Sequence, residues 1–227
     1  MEKTTTIVKF KCEYCNKSFV REKTLASHTC ERKRRHLQQD DPDVRLGYRA
    51  FQLFYRIGTN SKKPKSYEDF ASSNYYSAFV KFGLYAIDLK MDNFEGYTTW
   101  LLKNSVRLDS WTSDKNFNTW NKERLKKESC DRAVERTVMF MNEWAESENK
   151  NWTDYWTHAN VNQIVFHICS GRISPWVIYS STTAQDLLDK MNNDQLGLIV
   201  EYIDPTYWQR KLKTHAADFA WVEGILK

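Results

Sequence analysis

The spacing of apolar residues beyond residue 43 predicts a succession of α-helices. Leu46, Ala50, Leu53 and Ile57 recur at intervals of three and four residues, and Gly58 ends the pattern. Similar spacing predicts seven further helices, at 94–104, 115–128, 130–147, 160–170, 183–192, 194–203 and 205–226. The region 44–227 is therefore predicted to be an all-α domain.

Two stretches of this region carry additional local signals. Ser66 and Asp69 have the spacing of a capping box ahead of a helical pattern that runs to residue 89, and Leu84 and Ile87 are predicted to lie on its buried face. The stretch WVIYS at 176–180 favours a short extended segment. It follows a serine and a proline, which are residue types that begin helices.

The first forty residues have a different pattern, which depends on cysteine and histidine. Cys12 and Cys15 form a C-x2-C pair, followed by Phe19, Leu25 and His28 at spacings of x3, x5 and x2. This order resembles the C2H2 zinc-finger family. The resemblance implies a small ββα unit in which the Phe and Leu form the core, the His projects from a helix and one structural Zn²⁺ holds the unit together. The fold class predicted for the chain is mainly α, a ββα zinc finger followed by an all-α domain.

The fourth metal ligand departs from the family pattern. Basic residues fill the three positions where the family places its second histidine, which leaves Cys30 and His36 as candidates. On an unbroken helix, residues two apart face nearly opposite sides, and residues eight apart lie about 12 Å from each other. Unwinding the helix just after the first histidine brings Cys30 back to the metal, whereas His36 needs a longer looped return. We therefore predict Cys30 as the fourth ligand, with His36 as the alternative.

The positive charge of the chain is concentrated in the same region. Residues 1–37 hold ten Lys and Arg against four Glu, a net charge of +6, whereas the whole chain carries +5. Such an asymmetry favours a polyanionic partner. By resemblance to DNA-reading fingers, the helix positions at or beside the base edges are Arg21, Lys23, Thr24 and Ser27. The basic run that would neutralise phosphates, with salt-sensitive affinity, is Arg32, Lys33, Arg34 and Arg35.

A change in composition marks the boundary to the larger region. The stretch QQDDPD at 38–43 reverses the sign of the charge, Pro42 ends any helix that continues from the finger, and Asp43 can cap the next helix. We therefore predict a finger with a basic helical tail at 8–37, a linker at 38–43 and a helical domain at 44–227.

The helical region lacks a recognisable catalytic pattern. His158, His167 and Cys169 have no spacing that supports a second zinc site, and the acidic residues lack the arrangement of a two-metal nuclease. There is no glycine-rich phosphate loop in a chain with only seven glycines. A nuclease remains the third hypothesis, and it would depend on Asp154, His158 or Arg172.

Two longer stretches suggest a source for the protein. SSNYYSAFVKFGLY at 72–85 and GRISPWVIY at 171–179 look like uncharacterised proteins encoded by large tailed bacteriophages, which carry a similar N-terminal finger. The resemblance implies a phage-encoded protein that acts in the host cytoplasm, in DNA metabolism, transcription or particle assembly.

Composition and charge complete the functional expectation. With 41% hydrophobic residues and no apolar run approaching the ~18 residues of a membrane span, the chain is expected to be a cytoplasmic globular protein without a membrane partner. We expect a non-enzymatic accessory protein that binds nucleic acid, DNA in particular, through its finger and a protein partner through its helical domain. The alternative is a protein-interaction or particle-assembly adaptor whose zinc is structural.

Overall fold

The computed structural model describes residues 10–59 and 63–226, which are mainly helical with one small two-stranded sheet. These residues form two compact units. The first comprises the described residues up to Leu89 together with Asn93–Thr112, and the second comprises Lys90–Asp92 and the described residues from Ser113 onward. Within the described ranges, no helix combines the length and the apolar character needed to cross a membrane.

The first unit contains the sheet and six helices among its described residues. Strand β1, Phe10–Lys11, pairs antiparallel with strand β2, Ser18–Phe19, so that Phe10 lies opposite Phe19. The helices are α1 Glu22–Ala26, α2 Glu31–Leu37, α3 Pro42–Leu53, α4 Tyr67–Ala71, α5 Tyr76–Asp88 and α6 Phe94–Lys103. A π-helical turn, Phe54–Gly58, continues α3, and a 3-10 turn, Leu108–Ser110, follows α6.

Two glycines allow α3 and α5 to pack with their backbones almost in contact. A Cβ atom on Gly83 would lie 2.1 Å from the carbonyl oxygen of Asp43, and one on Gly47 would lie 2.8 Å from the carbonyl oxygen of Phe79. Any larger side chain would have to separate the helices. Beside this crossing, aromatic side chains form the core of the unit, and those buried almost completely are Phe51, Phe70, Phe79, Phe82, Tyr97 and Trp111.

The second unit is entirely helical within its described residues. Its helices are α7 Asp114–Lys127, α8 Cys130–Glu148, α9 Tyr155–His158, α10 Val161–Cys169, α11 Pro175–Ser180, α12 Thr182–Leu188, α13 Asn193–Ile203, α14 Pro205–Thr214 and α15 Ala216–Ile225. A 3-10 turn, Trp152–Asp154, precedes α9. The core includes the fully buried Trp176 and Trp208, whose rings lie 5.6 Å apart between centroids.

The turn after α10 in the second unit depends on the conformation of a glycine. Gly171 adopts φ +78°, the left-handed conformation that ends many helices, and a Cβ there would lie 2.3 Å from both the Arg124 guanidinium and the Asn121 side-chain oxygen. The buried Asn121 amide donates to the carbonyl of Cys169, and Arg124 donates to the carbonyl of Gly171. These hydrogen bonds satisfy carbonyls at the end of the helix, so the turn has a structural role.

The structure corrects three expectations for the first unit. The capping box of Ser66 and Asp69 is confirmed, but the helix it begins ends at residue 71, and α5 starts separately at residue 76. On α5, Leu84 is 49% exposed and Ile87 is also exposed, because Phe82 and Ala86 occupy the buried face instead. The N-cap of helix α3 is Asp41 and not the predicted Asp43, so the helix begins two residues earlier than expected, at Pro42.

Two further expectations were wrong in the second unit. Residues 176–180 are helical, because the Ser174 hydroxyl accepts a hydrogen bond from the Trp176 N–H and Pro175 occupies the first helical turn. The apolar run is buried on nearly all sides, which removes the alternation that distinguishes helix from strand. The predicted helix at 205–226 is divided at His215, where the backbone leaves the helical region (φ −113°, ψ 47°).

Candidate metal centre

Four side chains near the start of the chain converge on one point. The sulfur atoms of Cys12, Cys15 and Cys30 and a ring nitrogen of His28 all lie within 4.8 Å of one another. Cys12 Sγ lies 4.0 Å from Cys30 Sγ, and Cys15 Sγ lies 3.3 Å from His28 Nε2. Tetrahedral Zn²⁺, with metal–sulfur bonds of about 2.3 Å and metal–nitrogen bonds of about 2.0 Å, requires S–S separations of about 3.8 Å and S–N separations of about 3.6 Å. The cluster therefore has the spacing to hold one metal ion.

The β-hairpin positions the first two donors. The Cys12 N–H donates to the carbonyl of Lys17, and the Asn16 N–H donates to the carbonyl of Cys12, both at 2.9 Å. Asn16 adopts φ 59°, a left-handed conformation that asparagine tolerates better than most residues. This tight turn directs both sulfur atoms to the same side, and Cys12 is buried.

A break between two short helices positions the other two donors. Helix α1 ends at Ala26, and the His28 N–H donates to the carbonyl of Leu25 in a final turn. The chain then becomes extended, and Cys30 is the N-cap of α2, where its sulfur accepts a hydrogen bond from the Lys33 N–H at 3.4 Å. Because α1 ends before His28, residues 28 and 30 are not on one unbroken helix and do not have to face opposite sides. Cys30 therefore joins the cluster, as the sequence predicted.

His36, the alternative fourth ligand, lies elsewhere. It is on α2, with its ring centroid 5.2 Å from that of Tyr14 and 6.3 Å from that of Tyr67. It does not belong to the group of side chains, found among the described residues, that could hold a metal ion. The helical conformation of α2 accounts for this position, since it prevents the looped return that ligation by His36 required.

The electrostatics of the cluster favour a bound cation. Hydrogen bonding from the Cys15 backbone is the largest effect on the Cys12 thiol, and its pKa is lowered. At Cys15 the Lys17 backbone lowers the pKa, but burial and the thiols of Cys12 and Cys30 oppose this and raise the pKa overall. Closely spaced thiolates repel each other, and a divalent cation between them removes that repulsion.

Little apolar packing supports the module apart from the cluster. Phe19 contacts His28 with ring centroids 4.8 Å apart, but Phe19 and Leu25 are only half-buried. Helix α1 contains no buried residue. A unit with so small a core would gain much of its stability from a metal ion bound at the cluster.

Most of the residues predicted to contact nucleic acid are on the surface of this module. The exposed ones are Arg21, Lys23, Thr24, Ser27, Arg32 and Arg34. Lys33 is half-buried, and its ammonium group lies 3.5 Å from the carbonyl of His28. Lys23 and Thr24 lie on α1, Arg21 and Ser27 lie at its two ends, and Arg32 and Arg34 lie on α2.

Arg35 lies in a different environment from the rest of the basic run. Its guanidinium donates to the carbonyls of Ala71 and Ser73, and it lies 4.4 Å from the centre of the Tyr76 ring. The Tyr67 hydroxyl donates to the Arg35 carbonyl. The side chain of Arg35 thus holds α2 against the segment between α4 and α5, and we do not include it in the candidate nucleic-acid surface.

The residues considered for chemistry in the second unit have structural partners. Nδ1 of His167 lies 2.9 Å from the hydroxyl of the buried Tyr155, and Cys169 lies 3.5 Å from the carbonyl of Leu198. Arg172 donates twice to the carbonyl of Lys90. His158 hydrogen-bonds within its own turn. These contacts account for the positions of the four side chains without a reaction.

Sequence reasoning missed a group of cations in the first unit. Arg49, Arg56, Lys63 and Lys65 line one cavity, although they are spread over seventeen residues and two different segments. The basic character of RIGTNSKKPK at 56–65 is a signal that could have identified three of the four, all except Arg49.

Comparisons with protein-family models, with curated protein sequences and with solved structures found no significant match to this chain. The resemblance of 72–85 and 171–179 to phage proteins therefore stays a prediction. The geometry of the metal cluster and of the surface around it is the basis for the proposals that follow.

Proposed function

We propose that this protein binds nucleic acid, DNA in particular, through a zinc finger at residues 8–37. Zinc is the metal we propose for the site, because three thiolates and one imidazole at tetrahedral spacing are the ligand set that it favours. One observation carries the proposal: four exposed cations lie on, or at the N-terminal end of, the two short helices that position His28 and Cys30. They are Arg21, Lys23, Arg32 and Arg34.

The number of exposed cations predicts how strongly the affinity for nucleic acid depends on salt. Four cations that each neutralise a phosphate give a slope of log affinity against log salt of about −3.6. Raising the salt concentration from 50 to 200 mM then weakens binding about 10²-fold. Arg21 is the residue type that recognises a guanine edge, whereas Thr24 and Ser27 discriminate little between bases. We therefore propose that affinity comes mainly from phosphate contacts.

The test is fluorescence anisotropy with labelled single-stranded and double-stranded DNA and RNA across a salt series. The variant Arg32→Gln with Arg34→Gln is expected to weaken binding and to reduce the slope by about 2. Arg107→Gln is the matched control, because Arg107 is 85% exposed, pairs with Asp109 and lies outside residues 8–37. Equal loss in the control and the double variant would contradict the proposal.

The alternative is a protein-interaction adaptor in which zinc only stabilises the module. Two exposed apolar side chains favour it: Val20 is 69% exposed beside β2, and Leu37 is 67% exposed at the end of α2. A zinc-loaded protein that binds none of the nucleic acids at 50 mM salt would favour this alternative. Val20→Ser with Leu37→Ser should then abolish a partner complex that Arg32→Gln leaves intact.

A further inference from the structure

The first unit contains a cavity of about 320 Å³ that is separate from the metal cluster. Helix α3 contributes Arg49 and Gln52 to its lining, and the π-helical turn contributes Tyr55 and Arg56. The remaining wall includes Lys63, Lys65 and Glu95. Its volume is within the range of small-molecule sites.

Local structure holds the backbone beside these side chains in place. A π-helical turn is rare and frequently occurs at functional sites. Here the Thr59 hydroxyl donates to the carbonyl of Tyr55 at 2.8 Å and fixes the end of the turn. On the opposite wall, the carbonyl of Lys65 accepts hydrogen bonds from the Tyr48 hydroxyl at 2.9 Å and from the Gln52 amide at 3.3 Å. The cations therefore extend from a backbone that is tied to α3.

The charge of the cavity is unbalanced. Four basic side chains line it, whereas among the described lining residues Glu95 alone carries a negative charge. Arg49 uses both Nε and one terminal nitrogen to contact the same oxygen of Glu95, at 3.0 and 2.8 Å. Lys65 lies 4.9 Å from the centre of the Tyr55 ring. A concave surface with this excess of cations attracts anions.

We propose that this cavity binds the phosphate groups of a nucleotide. Arg and Lys are the side chains that bind phosphate best, and a nucleoside diphosphate presents the two to three negative charges that match the excess of cations. The half-buried Tyr55 ring lies in the same wall, and we place the base of the nucleotide beside it. The site is independent of the zinc finger, and its ligand is either a free nucleotide or the phosphorylated end of a nucleic-acid strand.

The test is isothermal titration calorimetry of the zinc-loaded full chain at low salt, with ADP, inorganic pyrophosphate and a short DNA strand with and without a 5′ phosphate. Arg56→Gln is expected to weaken ADP binding about tenfold, since it removes a charged hydrogen-bond donor. Glu95→Gln is expected to strengthen binding several-fold, because it removes the negative charge from the cavity and frees Arg49. Arg107→Gln, on the surface of the same unit, should leave binding unchanged.

Several outcomes would overturn the proposal. One is the absence of binding by ADP, by pyrophosphate and by the 5′-phosphorylated strand at millimolar concentration, and another is a Glu95→Gln variant that binds ADP no more tightly than the wild type. Binding of the 5′-phosphorylated strand alone would identify a strand end as the ligand. Because ADP and pyrophosphate do not require the finger, their binding persists in Arg32→Gln with Arg34→Gln even if nucleic-acid binding by the finger fails.

Discussion

Replacing Cys30 with serine removes one of the four candidate metal donors and leaves the other structural role of this residue, the capping of α2, in place. Cys30 is the N-cap of α2, and serine is among the residues that accept backbone hydrogen bonds best at that position. The hydroxyl of Cys30→Ser therefore continues to accept from the Lys33 N–H. The substitution isolates metal ligation from capping of the helix.

The magnitude follows from the geometry of the cluster. The four donor atoms lie within 4.8 Å of one another, so each contributes comparably to the binding of one ion. Structural zinc sites in small fingers bind with about 10–16 kcal/mol, and loss of one of four donors removes roughly 3 kcal/mol. We expect zinc affinity to fall about 10²-fold in Cys30→Ser.

The assay is competition for Zn²⁺ against a chromogenic chelator, together with Co²⁺ substitution, in which the thiolate-to-metal absorption reports the number of sulfur ligands. His36→Ala tests the alternative ligand and is expected to bind zinc like the wild type. Cys130→Ser is the matched thiol control, because Cys130 is half-buried at the start of α8 and outside the cluster.

One pattern of results would refute the reasoning. If Cys30→Ser bound zinc and Co²⁺ like the wild type while His36→Ala lost affinity, the ligand set would be Cys12, Cys15, His28 and His36. The break between α1 and α2 would then not be what completes the site. Loss of affinity in Cys130→Ser equal to that in Cys30→Ser would also contradict the assignment.

Three further predictions concern stability. Gly171→Ala is expected to lower the free energy of unfolding by about 2–4 kcal/mol in chemical denaturation, because its φ of +78° is strained for alanine and a Cβ would collide with Asn121. Gly83→Ala should lower it by about 1–3 kcal/mol or more, since a Cβ would lie 2.1 Å from the Asp43 carbonyl. Burial lowers the pKa of His167 to about 4. As the pH falls from 6.5 toward 4, the imidazole of His167 is protonated in the unfolded chain before it is protonated in the folded protein. The free energy of unfolding should therefore decline by about 1–2 kcal/mol over this range. Chemical denaturation across this pH range should show a smaller decline in His167→Gln.

The metal cluster is the part of the candidate site that the sequence predicted best. Cys12 and Cys15 lie in one hairpin and His28 in one helical turn, so the positions of these three residues depend on local geometry. On an unbroken helix, neither Cys30 nor His36 could have reached the metal. The break after α1 and the position of Cys30 agree with that reasoning. Local chain geometry is readable from the sequence because it depends on neighbouring residues.

The basic run shows where this reasoning fails. Arg34 and Arg35 are neighbours with the same charge, and the sequence assigned both to a polyanionic partner. The structure leaves Arg34 exposed and places Arg35 against carbonyls more than thirty residues away. Periodicity and charge carry no information about which distant backbone groups need a hydrogen-bond donor.

By itself, then, the sequence determined the helical class, the hairpin with its two thiols and three side chains of the candidate metal centre, and it favoured Cys30 over His36 as the fourth. Only the tertiary structure decided which cations stay on the surface, where the helices of 66–88 and 205–226 divide, and that Arg49, Arg56, Lys63 and Lys65 share a cavity. The physical reason is the range of the interactions. Capping, turn conformation and ligand spacing act over a few residues, whereas burial and cavity formation depend on packing between segments far apart in the chain.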